Sequence, residues 1–219
     1  MKKFVYSMML SSAVVLGANA HEIWLELDQN KKEAKLYFGH YAENEKESGK
    51  DFERIQEGIA YPKEFVKSTK RNDNNITYSL TKNSDIVVVQ EGEPRLSKAT
   101  NITTKRVIYS KAGISSKKAI TKFDIVAVDA NKNIFKLVLD GKPLAKNEIN
   151  VISPSSWTKK FMTDDKGEFK INTPWKGGYL IQAKYEDNTK GESNGKTFDK
   201  TVHLLALNLN IDKGLDWKN

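Results

Sequence analysis

Short apolar segments bounded by turn-forming residues recur along the whole chain, and they constrain its fold more than any other feature. Alternation of apolar and polar residues over about four to eight positions is typical of half-buried strands. The chain has no helical stripe longer than about two turns. The pattern predicts strands at residues 22–27, 35–38, 76–80, 85–90, 104–110, 123–128, 134–139, 148–152, 177–183 and 197–209.

The segments between these strands indicate how the chain is divided. Residues 42–63 are polar and lack periodicity, so they favour a mobile loop with room for a short helix near residues 52–55. Residues 111–121 are rich in Lys and Ser and are typical of a linker. Asp140-Gly141 favours a tight turn, and residues 163–169 favour a hairpin. We therefore predict an all-β protein with two Ig-like β-sandwich domains, at residues 21–115 and 116–219.

The first 20 residues have the pattern of a secretory signal peptide. Lys2 and Lys3 precede an apolar run, and Ala18-Asn19-Ala20 fits the small-x-small rule of signal peptidase. Cleavage there predicts a periplasmic protein, whereas an uncleaved leader would act as an anchor. The chain has no cysteine, which is compatible with export and excludes thiolate metal sites and thiol catalysis.

The net charge of +8 is spread along the chain, and two of the positive charges come from lysines of the leader. There is no arginine-rich stripe with interleaved aromatic residues, so nucleic acid is not an expected partner. A dispersed positive charge favours solubility beside an anionic envelope surface.

Cleavage after Ala20 would make His21 the first residue of the mature chain. A free α-amine loses its proton at about pH 7.7–8, so it can bind a metal near neutrality, and with the imidazole it can close one chelate ring. His40 and His203 are the other two histidines of the sequence. Three imidazoles and one amine would form a four-nitrogen site suited to nickel, cobalt, copper or zinc.

Each candidate ligand also has an ordinary structural explanation. Any residue can follow a cleavage site, and His40 at a strand end can be a surface histidine. His203 shares a strand face with leucines, so it can equally be a buried core residue. Glu22 or Glu43 could add a carboxylate ligand, or accept a hydrogen bond that orients a histidine.

Enzymatic motifs are absent from the sequence. It has no G-x-S-x-G elbow and no H-E-x-x-H pattern, and we do not expect an enzyme. A copper oxygenase stays open as an alternative, because an N-terminal histidine on a β-sandwich resembles the lytic polysaccharide monooxygenases. A copper carrier is a second alternative. In a third, an adhesion or scaffold module, the histidines would be incidental.

The arrangement of five motifs resembles a family of bacterial periplasmic proteins. The motifs are H-E-I-W-L after the leader, Y-F-G-H, F-D-I-V-A-V, the series D-G-K-P-L to G-G-Y, and V-H-L near the end. The fourth is similar to prealbumin-like and carboxypeptidase-regulatory-like modules, and this resemblance implies the prealbumin-like variant of the β-sandwich. Family members are often described as periplasmic components of cobalt or nickel uptake systems. The resemblance implies a carrier of nickel or cobalt, free or chelated. It implies handover to an inner-membrane transporter or an outer-membrane receptor complex. A dimer that shares one metal between two chains stays open as an alternative, because a flexible N-terminus can reach a neighbour.

Overall fold

Strands dominate the protein, as the alternation predicts. The computed structural model describes residues 21–217, so the leader predicted at residues 1–20 lies outside the described residues. The strands are β1 Glu22–Asp28, β2 Glu33–His40, β3 Glu45–Lys46, β4 Ile59–Tyr61, β5 Val66–Arg71, β6 Ile76–Leu80, β7 Ile86–Glu91, β8 Arg95–Ser97, β9 Ile102–Ala112, β10 Phe123–Asp129, β11 Ile134–Leu139, β12 Lys142–Pro143, β13 Glu148–Ile152, β14 Thr158–Met162, β15 Glu168–Lys170, β16 Gly177–Asp187, β17 Gly191–Ser193, β18 Lys196–Phe198 and β19 Lys200–Ile211. One short helix, α1 Gly49–Glu53, and three 3-10 turns complete the described secondary structure. The predicted all-β fold class is confirmed.

Three sheets form successive layers. The first has the order β1-β2-β6-β5, with β3 beside β2. The central sheet has the order β14-β13-β16-β19-β9-β7-β4, with β8 beside β9, and the third contains β10, β11, β12 and β15. β17 and β18 form a separate two-stranded ribbon. Because β9 and β19 pair in parallel, the central sheet contains strands from both sides of the predicted boundary at residues 115 and 116.

Alternation along the central strands gives each face of the central sheet its own core. Val87, Tyr109 and Leu205 lie in a cluster with residues of the third sheet. Ile86 and Val88 lie in a second cluster with residues of the first sheet. Successive side chains of a strand point to opposite faces, so neighbours in β7 contribute to different cores.

A buried ion pair joins the central sheet to the third sheet. Lys111 Nζ lies 2.7 Å from Asp124 Oδ1 and 2.7 Å from the carbonyl oxygen of Ile125, and the Lys111 and Asp124 side chains have no exposed surface. Removing one partner of such a pair typically costs about 3–5 kcal/mol, because it leaves a buried charge uncompensated. Lys111 is therefore part of the buried end of β9, and the predicted linker can begin only after Ala112.

The two predicted turns have different outcomes. Asp140 and Gly141 both have positive φ, 50° and 72°, and connect β11 to β12, so the predicted tight turn is confirmed. The hairpin predicted at residues 163–169 is wrong, because β14 pairs with β13 and β15 pairs with β11. This turn carries the chain from the central sheet to the third sheet.

Residues 42–63 contain ordered elements, so the prediction of a loop is wrong for much of this stretch. β3, α1 and β4 lie within it, and Phe52 and Ile55 are buried in the core beneath the first sheet. Within residues 21–217, no helix is long and apolar enough to span a membrane.

Candidate metal centre

The pairing of the first two strands brings His21 and His40 together. β1 and β2 are antiparallel, with Glu22 opposite Gly39, so the start of β1 meets the end of β2. The two imidazole rings have centroids 4.2 Å apart and planes inclined by 46°. Residues separated by one short strand, a turn and a second strand thus become neighbours through the hairpin register.

A third side chain, that of Glu47, reaches the same place from the residue that directly follows β3. His40 pairs with Glu45, and the backbone N–H of Glu47 donates to the carbonyl oxygen of Phe38 at 2.8 Å. This ladder directs the Glu47 carboxylate towards His21, whose Nε2 lies 2.7 Å from Glu47 Oε1. Glu47 was not predicted as a ligand, because nothing in the sequence distinguishes it from its neighbours in the polar stretch. Predicting Glu47 would have required knowledge of how β3 pairs with β2, which the sequence does not reveal.

Gly39 permits this close approach of β3. Its φ is +152°, and a Cβ at this position would lie 2.2 Å from the carbonyl oxygen of Glu45. No other residue type lacks a Cβ, so glycine is needed immediately before His40. The Phe38-Gly39-His40 strand end is therefore shaped by the contact that presents Glu47.

An aromatic side chain forms one wall of the site. The Phe38 ring stacks on His21 with centroids 4.7 Å apart and an interplanar angle of 18°. The Arg54 guanidinium lies over the Phe38 ring at 5.1 Å. The His21 and Glu47 side chains retain 34% and 22% of their accessible surface, so an ion in solution can reach them.

His21, His40 and Glu47 can together hold a metal ion. Their ligand atoms all lie within 4.8 Å of one another, and they are the one such group of three within residues 21–217. Imidazole nitrogens suit zinc, copper and nickel, and a carboxylate oxygen is compatible with the same ions.

Of the two acidic residues singled out in the sequence, only Glu22 has an interaction with this group. Glu22 accepts the backbone N–H of Tyr41 at 3.1 Å and so braces the residue that follows His40. Burial raises the pKa of Glu22, while this hydrogen bond and the charges of His40 and His21 oppose the increase. Glu43 is exposed and is not part of the group.

His203 lies elsewhere, on β19, with only 3% of its surface exposed. Its Nδ1 is 3.1 Å from the Tyr109 hydroxyl, and the rings of Phe123 and Tyr185 lie 5.8 and 6.4 Å away. Its side chain points from the central sheet towards the third sheet, whereas the first sheet packs on the opposite face. The structure therefore brings two of the three histidines together and leaves His203 apart.

The environment of His203 is that of a neutral core residue. Burial lowers the pKa of His203, and Lys122 lowers it further, while Asp187 and Asp140 act in the opposite direction. Its Nε2 is buried and has no hydrogen-bond partner. A protonated ring would place an N–H donor at this buried atom with no acceptor for it.

No family model, curated protein or solved structure matches this chain. What the site can bind therefore follows from its own side chains.

Proposed function

We propose that the protein is a periplasmic carrier of a divalent transition metal, nickel or cobalt, for an uptake system. The observation that carries the proposal is the convergence of His21, His40 and Glu47 on one accessible point. The family resemblance adds the uptake system and the choice of nickel or cobalt.

The contact of His21 with Glu47 supports a definite ligand set. Nε2 of His21 faces the carboxylate, which leaves Nδ1 for the metal. After cleavage at Ala20, the α-amine of His21 would join Nδ1 in one chelate ring, and His40 would supply the third nitrogen. Metal-binding histidines commonly donate their second N–H to a carboxylate, which fixes the tautomer and the ring orientation. Glu47 is placed for that role, or for direct ligation.

Calorimetric titration of the processed chain, beginning at His21, tests the proposal. The matched control carries one extra residue before His21, which converts the amine into an amide and leaves every side chain in place. We expect binding of Ni²⁺ or Co²⁺ to the processed chain, with affinity lower by about 100-fold or more in the control. Equal affinities would remove the amine from the site, and absence of binding for every metal would overturn the carrier.

Copper is a second candidate, favoured by the presence of two imidazoles in place of three. Two imidazoles and an amine form a histidine brace, and the affinity series of divalent metals peaks at copper. Titration with Cu²⁺ in competition with Ni²⁺ measures this preference. Reductant-dependent release of peroxide by the copper-loaded protein would indicate an oxygenase, whereas a carrier binds reversibly without turnover.

A further inference from the structure

The residue after His40 leaves the first sheet and packs on the central one. Tyr41 begins a 3-10 turn, Tyr41–Glu43, and its ring meets Trp24 edge-on with centroids 5.4 Å apart. Its hydroxyl lies 3.4 Å from Asn208 Oδ1 on β19. The Tyr41 side chain packs against a buried cluster that contains Trp24 of the first sheet and Leu180 of the central sheet. The polypeptide next to the metal centre is thus anchored on a different layer of the fold.

A glycine on β16 makes room for this tyrosine. A Cβ built at Gly178 would lie 2.5 Å from the Tyr41 hydroxyl oxygen, which is too close for any real contact. The next atoms, Asn208 Oδ1 and Tyr41 Cζ, would be at ordinary distances of 3.5 and 3.7 Å. The hydroxyl oxygen is therefore the single atom that requires glycine at this position.

Two further contacts hold the same turn. The backbone N–H of Tyr41 donates to Glu22 at the start of β1. The Ser156 hydroxyl, in the loop between β13 and β14, donates to the carbonyl oxygen of Ala42. The backbone that follows His40 is therefore tied both to the strand that supplies His21 and to the central sheet.

We propose that Tyr41 is a positioning residue for the metal centre, with Gly178 and Asn208 forming its seat. The proposal rests on the proposed function of the site. The Tyr41 ring fixes the end of β2, and through it the orientation of His40 relative to His21. A side chain added at Gly178, in another sheet, should displace Tyr41 and misalign His40 without touching any metal ligand.

A double-mutant cycle isolates this contact. Gly178→Ala adds the clashing Cβ, Tyr41→Phe removes the hydroxyl oxygen, and the double variant combines both. We expect Gly178→Ala to lower metal affinity by about tenfold, as changes in residues that orient ligands typically do. Tyr41→Phe should change affinity by less than about threefold, since the ring and its packing stay. The double variant should return to the affinity of Tyr41→Phe, because its Cβ then meets only atoms at ordinary distances.

The readouts are calorimetric affinity, the visible spectrum of the bound Ni²⁺, Co²⁺ or Cu²⁺, and the His40 imidazole resonances of the metal-free protein. Tyr185→Phe is the matched control, because it removes a hydroxyl from the other face of β16, beside His203. Wild-type affinity, spectrum and resonances in Gly178→Ala would overturn the proposal, and so would a defect that Tyr41→Phe fails to rescue. If the wild type binds no metal, the proposed function fails, and the His40 resonances still decide whether Tyr41 positions this residue.

Discussion

The histidines of this protein occupy two contrasting regions. His21 and His40 lie side by side at an open strand end, with Glu47 at hydrogen-bond distance. His203 lies between two sheets, enclosed by Tyr109, Phe123 and Tyr185. In the first region, imidazole nitrogens are accessible to an ion from solution. In the second region, the same side chain acts as a polar member of an aromatic core.

The contrast shows that solvent accessibility determines whether a histidine can bind a metal ion. An imidazole binds a metal only where the ion can arrive and where other ligands converge. At the end of β2 both conditions are met. In the interior, burial favours the neutral ring, and the His203 Nε2 atom faces no partner.

Loss of a ligand from the open region should weaken metal binding far more than loss of the buried histidine. His40→Ala should weaken metal binding by about 100-fold or more, since it removes a ligand. His203→Phe, which keeps a ring of similar size in the core, should leave affinity within about twofold. Calorimetric titration of both variants measures the difference. A large loss of affinity in His203→Phe would place a ligand role back on the buried histidine.

The next largest effect concerns the strand end that forms the open region. Gly39→Ala places a Cβ 2.2 Å from the Glu45 carbonyl oxygen, so β3 and Glu47 must move away from β2. We expect affinity to fall by about tenfold, comparable with loss of an orienting group. Gly195→Ala is the control, because its added Cβ meets nothing within 4 Å although its φ is also positive. Similar affinities for the two variants would show that the β3 contact does not support the site.

A smaller change distinguishes the two possible roles of Glu47. Glu47→Gln keeps an oxygen that can accept the His21 N–H but removes the charge, so an orienting role predicts a loss of less than about tenfold. Direct ligation predicts a loss well beyond that. Glu43→Gln, a change in an exposed neighbour outside the group, is the matched control and should bind as the wild type. The measurement is calorimetric affinity at constant pH.

The smallest effect belongs to the buried region and depends on pH. The pKa of His203 is lowered in the folded protein, so the unfolded chain binds the proton more readily. The contribution of His203 to the free energy of unfolding should therefore be complete above about pH 6.5. Below that pH, the free energy of unfolding should decrease by at most about 1.4 kcal/mol per pH unit, until the pH reaches the lowered pKa of His203 in the folded protein. Urea unfolding at a series of pH values measures this slope in the metal-free protein.

His203→Phe should reduce the slope of the unfolding free energy against pH in the same pH range, whatever the absolute stability of the variant. The groups near this ring, Tyr109, Tyr185, Lys122, Asp187 and Asp140, remain in the variant. An unchanged slope would assign the pH dependence to other groups.

Much of the fold follows from local pattern. The strands at residues 76–80, 134–139 and 148–152 have the predicted bounds, because alternation and flanking turn residues mark them. Local pattern did not predict which strands pair with one another. The turn at residues 163–169 has the composition of a hairpin, yet its flanking strands belong to different sheets. Local turn chemistry bends the chain but does not choose the sheet that the next strand joins.

Local sequence pattern was enough to predict the all-β class, the three candidate histidines and the strand end on which His40 lies. The tertiary structure alone decided which histidines meet, because strand register and layer order are set by burial across the whole fold. The pairing of β3 with β2 places Glu47 in the site, and Tyr41 packs against Gly178 of another sheet. His21 thus has one imidazole neighbour and one carboxylate, and His203 lies on the far face of the central sheet.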